Sequence, residues 1–199
     1  MNGPAIERQI WLVRHGETEW ARLGRHTGRT DIPLTEVGRE QALALGRRLA
    51  GRTFDLVLTS PLSRAADTAA IAGFPGAERD PDLLEWDYGS LEGRTSADIR
   101  DEFDGWTIWT GPWPAAETVD EVGVRADRAI ERCLDPRVAG DCLLFAHGHL
   151  LRILAARWLR QPAAAGSLFA LGTATVGILG WDRLNPVIET WNEACHLER

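Results

Sequence analysis

Short apolar runs alternate with amphipathic segments of helical period along this chain, and few folds accommodate that order. Residues 10–13 read as a buried strand that stops at Arg14-His15-Gly16. Thr35 is placed to cap a helix over 36–50, where Ala42, Leu45, Gly46 and Leu49 share one face and Gly51 follows the end. Residues 55–59 (DLVLT) read as a second strand. Ser60-Pro61 then has the form of an N-cap with proline at the first helical position, which predicts a helix to about Ala72, closed by Gly73. A short helix is expected over 95–103. The spacing of Val119, Val122, Ala126, Ile130 and Cys133 predicts an amphipathic helix over 118–134. A third apolar strand, 141–146, ends in His147-Gly148-His149, followed by a helix over 150–159 and closing strands at 173–181 and 187–192. No internal repeat or composition break divides the chain. The pattern predicts an α/β fold: a single three-layer α/β/α domain over 1–199 with a mostly parallel central sheet.

Composition narrows the chemistry. All 22 basic side chains are arginine and none is lysine. Schiff-base enzymes, pyridoxal-phosphate enzymes and Walker-type nucleotide triphosphatases each need a lysine and are excluded. A net charge of −7 argues against nucleic-acid binding, which calls for a basic field. The charge is uneven: residues 20–52 hold seven arginines against three acids, and residues 78–104 hold ten acids against three arginines. A basic segment on an acidic protein suits a small anion, or is a solvated helix face. Cys133, Cys142 and Cys195 form no C-x-x-C pattern, so neither a disulfide scaffold nor a zinc ribbon is expected. The first ten residues, MNGPAIERQI, lack the basic-then-apolar pattern of a leader, and no apolar span approaches membrane length. The expectation is a soluble, cytoplasmic protein without a membrane partner.

In open α/β sheets, ligands sit outside the carboxyl ends of the strands. Two predicted strands end alike, in VRHG (13–16) and FAHG (145–148), and a third ends in Ser60 with Arg64 four residues on. That pattern puts His15, His147, Arg14 and Arg64 on one rim. A lone histidine is usually structural, but a strand end delivers its side chain to the crevice rather than to the core. His149 completes an H-x-H, a spacing also found at metal sites; no H-E-x-x-H or aspartate-rich motif accompanies it, so no metal and no cofactor are expected.

The constellation resembles the histidine phosphatase superfamily, which includes cofactor-dependent phosphoglycerate mutases and many phosphatases. LVRHGETEW (12–20) is similar to the family's nucleophile motif, and GRHTGRTDIPLTEVGREQA (24–42) to the segment after it. TSPLSRAADTA (59–69) resembles the second-arginine motif, LLEWDYGSLEG (83–93) the acid loop, and FAHGHLLR (145–152) the second-histidine motif. Within the superfamily, WDYGSLEG with GWTIWTGPWP (105–114) and AHGH is most similar to small actinobacterial mutase-like acid phosphatases. The resemblance implies a phosphoglycerate mutase-like fold. It makes His15 the nucleophile, with one ring nitrogen held by a backbone carbonyl near Gly16. Arg14 and Arg64 would hold the phosphoryl oxygens, since guanidinium forks donate bidentately and do not titrate. His147 would donate to the same group, and Thr27, Gly28 and Gly148 match substrate-binding positions. Glu85 takes the acid–base role, with Asp82 and Asp87 as local rivals. One departure stands out: Ala21 follows Trp20 where members often carry asparagine. Arg22, Arg25 and Arg29, in the same segment, are candidates for a second anionic group.

The leading expectation is a metal-independent hydrolase of small phosphomonoesters (sugar phosphate or phosphoglycerate-like) through phospho-His15. A cofactor-dependent phosphoglycerate mutase is the rival, disfavoured by the short interval between Glu92 and His147. A metal-dependent hydrolase and a non-catalytic phosphate-binding module are the remaining alternatives. Trp106, Trp109 and Trp113 lie in a loop that reads equally as part of a lid or as a seam packed on the core. Oligomeric state is left open.

Overall fold

The structure, a computed structural model, describes residues 8–111 and 117–198. Six strands form one sheet in the order β3-β2-β4-β1-β5-β6. They are β1 (Ile10–Arg14), β2 (Leu56–Thr59), β3 (Glu78–Arg79), β4 (Cys142–Ala146), β5 (Val176–Asp182) and β6 (Asn185–Glu193). The β3-β2, β2-β4 and β4-β1 pairings are parallel; β5 runs antiparallel to β1, and β6 to β5. The sheet is therefore mostly parallel, as its strand–helix alternation implies.

Period-two alternation divides each central strand between two cores. Ile10 and Leu12 of β1, with Cys142, Leu144 and Ala146 of β4, face the layer of α5 (Val119–Cys133) and α6 (Gly148–Trp158). Trp11 and Val13, with Leu143 and Phe145, face α2 (Glu36–Leu49) and α3 (Ser63–Ile71). Every residue of β4 is buried, which explains its unbroken apolar sequence. Thr35 starts its helix as expected, its Oγ1 accepting from Gly38 N, and Thr118 also proves a cap, forming a reciprocal capping box with Glu121. A similar box, Thr95 with Asp98, opens the short α4 (Ser96–Arg100).

The predicted start of α3 is corrected. The helix begins at Ser63 and its N-cap, Leu62, makes no side-chain cap bond. Ser60 Oγ instead bonds His147 Nε2 at 2.7 Å, while Asp31 Oδ1 accepts from Ser63 N at 2.9 Å and caps the helix from another segment. One strand and one α-helix went unforeseen because both are too short to carry a period: β3, and the four-residue α1 (Glu19–Arg22). Among the described residues, no helix is long and apolar enough to cross a membrane.

Candidate active site

The parallel register of β1 and β4 pairs Arg14 with Ala146, and His15 N donates to Ala146 O at 2.9 Å. Ser60 N donates to Phe145 O at 2.9 Å. Three strand ends therefore meet, and His15 and His147 lie with ring centroids 5.2 Å apart.

His15 Nδ1 lies 2.7 Å from Gly16 O. A carbonyl can only accept, so the proton sits on Nδ1 and Nε2 keeps its lone pair. Burial holds the ring well below its ordinary pKa, reinforced by the Arg64 and Arg14 charges and only partly opposed by the Gly16 carbonyl. His15 is thus a neutral imidazole between two cations. Gly16 admits no side chain, since a Cβ there would lie 3.0 Å from the Gly38 carbonyl carbon.

His147 is the N-cap residue of α6 and has the opposite tautomer. Arg64 Nε donates to its Nδ1 at 3.2 Å, so its Nε2 carries the hydrogen toward Ser60 Oγ. Arg64 is fully buried and also donates to Thr30 O (2.9 Å), Gly28 O (2.8 Å) and Thr27 O (3.2 Å). Arg14 Nη1 donates to Leu171 O at 2.6 Å, while its buried Nε has no hydrogen-bond partner among the described residues. A buried guanidinium N–H without a partner is a donor for an incoming anion.

Glu85 is anchored to the first turn of α6. Its Oε1 accepts from Leu150 N (2.9 Å) and Trp86 N (3.0 Å), and its Oε2 from His149 N (3.0 Å). The His149 and Leu150 amides are donors that a helix start leaves available, and the Trp86 amide is local to the loop. The rival carboxylates are elsewhere: Asp82 pairs with Arg128, and Asp87 accepts from Gly89 N while facing Arg29 at 3.8 Å.

A cavity of about 450 Å³ opens over these groups. Arg14, His15, Thr27, Glu85 and Gly148 line it; Arg64, His147 and Gly28 do not, and form the layer beneath. Ala21 lines the cavity with a methyl group where an amide is frequent in the resemblance. Among Arg22, Arg25 and Arg29, the structure separates roles: Arg22 pairs with Glu19, Arg29 faces Asp87 and Glu117, and only Arg25 reaches the cavity. The tryptophan loop also divides. Trp106 is buried in the core, whereas Trp109 walls the cavity beneath Arg152, whose guanidinium lies 4.7 Å from the ring centroid. Trp113 lies outside the described residues. No group of three or more histidine, cysteine, aspartate or glutamate side chains among the described residues is placed to hold a metal ion.

Two supporting residues escaped the sequence reading. Arg125, on α5, donates to the carbonyls of Asp82 and Leu84 and pairs with Glu117 at 2.6 Å, fixing the loop that carries Glu85. Its signal was an arginine on the apolar face of an amphipathic helix, beside Val122 and Ala126. Glu92 accepts from the amides of Arg29 (2.6 Å) and Thr30 (2.9 Å) and holds the loop that receives Arg64.

The family model for the histidine phosphatase superfamily (branch 1) matches residues 10–194. An acid phosphatase of Mycobacterium tuberculosis is 44% identical over 176 residues, 87% of each chain. Sedoheptulose 1,7-bisphosphatase of Saccharomyces cerevisiae is 33% identical, over 78% of this chain and 69% of its own. The solved structure of a Mycobacterium tuberculosis open reading frame superposes with a TM-score of 0.89 at 41% identity, covering 94% of this chain and 97% of that one.

Proposed function

Because this chain belongs to the histidine phosphatase superfamily, branch 1, we propose that it hydrolyses small phosphomonoesters, of the sugar-phosphate or phosphoglycerate type, through a phosphohistidine on His15. The observation that carries this reading is the His15 tautomer: Nδ1 is committed to Gly16 O, and a neutral Nε2 stands free between Arg14 and Arg64. The names of two relatives, an acid phosphatase and a sugar bisphosphatase, support hydrolysis, while a Cronobacter sakazakii relative 33% identical over 96% of this chain is named a probable phosphoglycerate mutase, the rival reading.

In the first step His15 Nε2 attacks phosphorus, the P–O bond to the alcohol breaks, and its electron pair leaves on the alkoxide oxygen. Glu85 in its acid form protonates that oxygen. Its Oε2 accepts one amide against two on Oε1, so Oε2 has room for the proton. Arg14 lies at the cavity surface with an unpartnered Nε–H for the equatorial oxygens. Arg64 and the neutral His147, beneath, fix the loop and the ring geometry, and Arg64 adds positive charge from below. In the second step Glu85, now a carboxylate, takes a proton from water as the water attacks phosphorus. The P–N bond breaks, orthophosphate leaves, and His15 returns to its neutral form.

The test is a phosphomonoester panel assayed with and without chelator, beside His15→Ala and Glu85→Gln. Hydrolysis that survives chelation and falls by at least a thousandfold in His15→Ala is the expected result. Alkaline quench of labelled substrate should trap phosphate on wild-type protein and not on His15→Ala. Full activity in His15→Ala overturns the reading, and interconversion of phosphoglycerates without phosphate release replaces it with the mutase.

A further inference from the structure

We propose that the outer wall of the cavity binds a second anionic group of the substrate through Arg25 and Arg100, so that the preferred substrate is a phosphomonoester bearing another phosphate or a carboxylate. The proposal rests on the phosphatase reading above and deepens it.

The first observation is charge. A chain of net charge −7 lines this one cavity with Arg14, Arg25, Arg100 and Arg152 against a single carboxylate, Glu85. Arg14 stands beside His15. Arg152 is fixed on the carbonyls of Gly166 and Ser167 and stacked on Trp109. Arg25 and Arg100 have no such engagement.

The second observation is how the fold brings these two together. Arg25 bridges Thr95 in antiparallel fashion, with His26 N on Arg94 O and Gly93 N on His26 O, both at 2.9 Å. Thr95 caps α4, and Ser96 and Arg100, one turn apart on that helix, both line the cavity. A backbone bridge and one helical turn therefore deliver two arginines to one wall.

The third observation is that the local acids are committed elsewhere. Glu19 pairs with Arg22, Asp98 accepts from Thr95 N at the helix cap, and Glu102 pairs with Arg94. The Arg25 and Arg100 side chains form no hydrogen bond or ion pair among the described residues, and Glu19 and Asp98 act on Arg25 through longer-range electrostatics only, while the side chains of Arg22, Arg29 and Arg94 in the same two segments are paired. Two like charges facing one cavity without a direct ion-pair partner are stabilised by an anion between them, and guanidinium suits phosphate and carboxylate oxygens equally.

The experiment uses matched pairs: fructose 1,6-bisphosphate against fructose 1-phosphate, and 3-phosphoglycerate against glycerol 3-phosphate. The first isolates a second phosphate and the second a carboxylate. For the wild-type protein we expect kcat/KM to favour the doubly anionic member of at least one pair by tenfold or more, chiefly through KM. In Arg25→Gln/Arg100→Gln that ratio should fall toward one. The ratio cancels any general loss of activity, so a variant that slows both members equally overturns the proposal, as does a wild-type ratio near one for both pairs. Calorimetric titration of His15→Ala with the same four compounds measures the preference without turnover. If wild-type protein hydrolyses none of them, the phosphatase reading fails, and the calorimetric ratio still decides the subsite.

Discussion

Tyr88 Oη lies 2.5 Å from His149 Nδ1, and the direction of that hydrogen bond is fixed by its surroundings. Burial, with Glu85 adding to it, pushes the phenol well above its ordinary pKa, so Tyr88 keeps its hydrogen and donates. Burial likewise keeps His149 neutral, which leaves its other nitrogen, Nε2, carrying the proton on a residue that lines the cavity. The backbone amide of His149 meanwhile donates to Glu85 Oε2. The acid loop is thus fastened to the start of α6 twice, once through Glu85 and once through Tyr88.

Tyr88→Phe removes one of those fastenings and leaves a buried imidazole nitrogen without its donor. We expect a loss of about 1–3 kcal/mol in unfolding free energy, measured by urea denaturation. The Glu85 amide contacts survive this change, so kcat should fall far less than in Glu85→Gln. Equal losses of kcat in the two variants would contradict that ordering.

Four histidines give folding a pH dependence of definite sign. His15, His147 and His149 lie well below the ordinary value and His26 at about 4, each chiefly through burial. The unfolded chain takes up these protons near pH 6.5 while the folded chain does not. Stability therefore falls as pH drops below about 6.5, by roughly 1.4 kcal/mol per pH unit for each histidine still neutral in the fold. Denaturation between about pH 7.5 and 5, above the carboxylate range, measures the slope. It should be shallower in His26→Gln. The same depression keeps the nucleophile unprotonated, so kcat/KM should show no acidic limb near 6.5 from His15.

Gly28 and Gly148 both neighbour the site but differ in the space around them. A Cβ at Gly28 would stand 2.7 Å from Trp86 O and collide with the Glu92 carboxylate, which already holds the adjoining amides. At Gly148 the nearest approach is an ordinary 3.4 Å, to the Arg14 guanidinium. Gly28→Ala should cost about 1–3 kcal/mol of stability and displace the loop bound by Arg64. Gly148→Ala should unfold within about 1 kcal/mol of wild type. Thermal denaturation of the pair checks the contrast.

Arg125 is the pillar of the acid loop. Removing it in Arg125→Met takes the bidentate partner from the largely buried Glu117 carboxylate, which keeps Arg29 at 3.6 Å and the Asp87 amide at 3.1 Å, and leaves two loop carbonyls without a donor. The expected destabilisation is about 1–3 kcal/mol, read as a shift in denaturation midpoint, with a fall in kcat as Glu85 loses its fixed position.

Much of this was legible in the sequence because periodicity and end signals are local. The strand ends at His15 and His147, the cap at Thr35, and the carbonyl partner of His15 all follow from a few neighbouring residues. What stayed hidden depended on distant partners. Ser60 looks like a helix cap until His147 is brought within 2.7 Å of it. The depth order of the site, with Arg64 and His147 beneath rather than at the surface, is a matter of loop packing that no motif encodes. Which of Arg22, Arg25 and Arg29 faces the cavity depended on Glu19, Asp87 and Glu117, one close in sequence and two far from it.

Glu85 belongs by sequence to an irregular loop, but its carboxylate is fastened to the first turn of α6, the helix that follows β4 and begins at His147. The proposed proton donor and the proposed nucleophile are thereby mounted on the same rigid frame, one on the helix after β4 and the other at the end of the adjacent β1. The span between them is set by the sheet's strand spacing, not by the length of the loop. Changes elsewhere in that loop that spare Glu85, Tyr88 and Glu92 leave this distance unchanged.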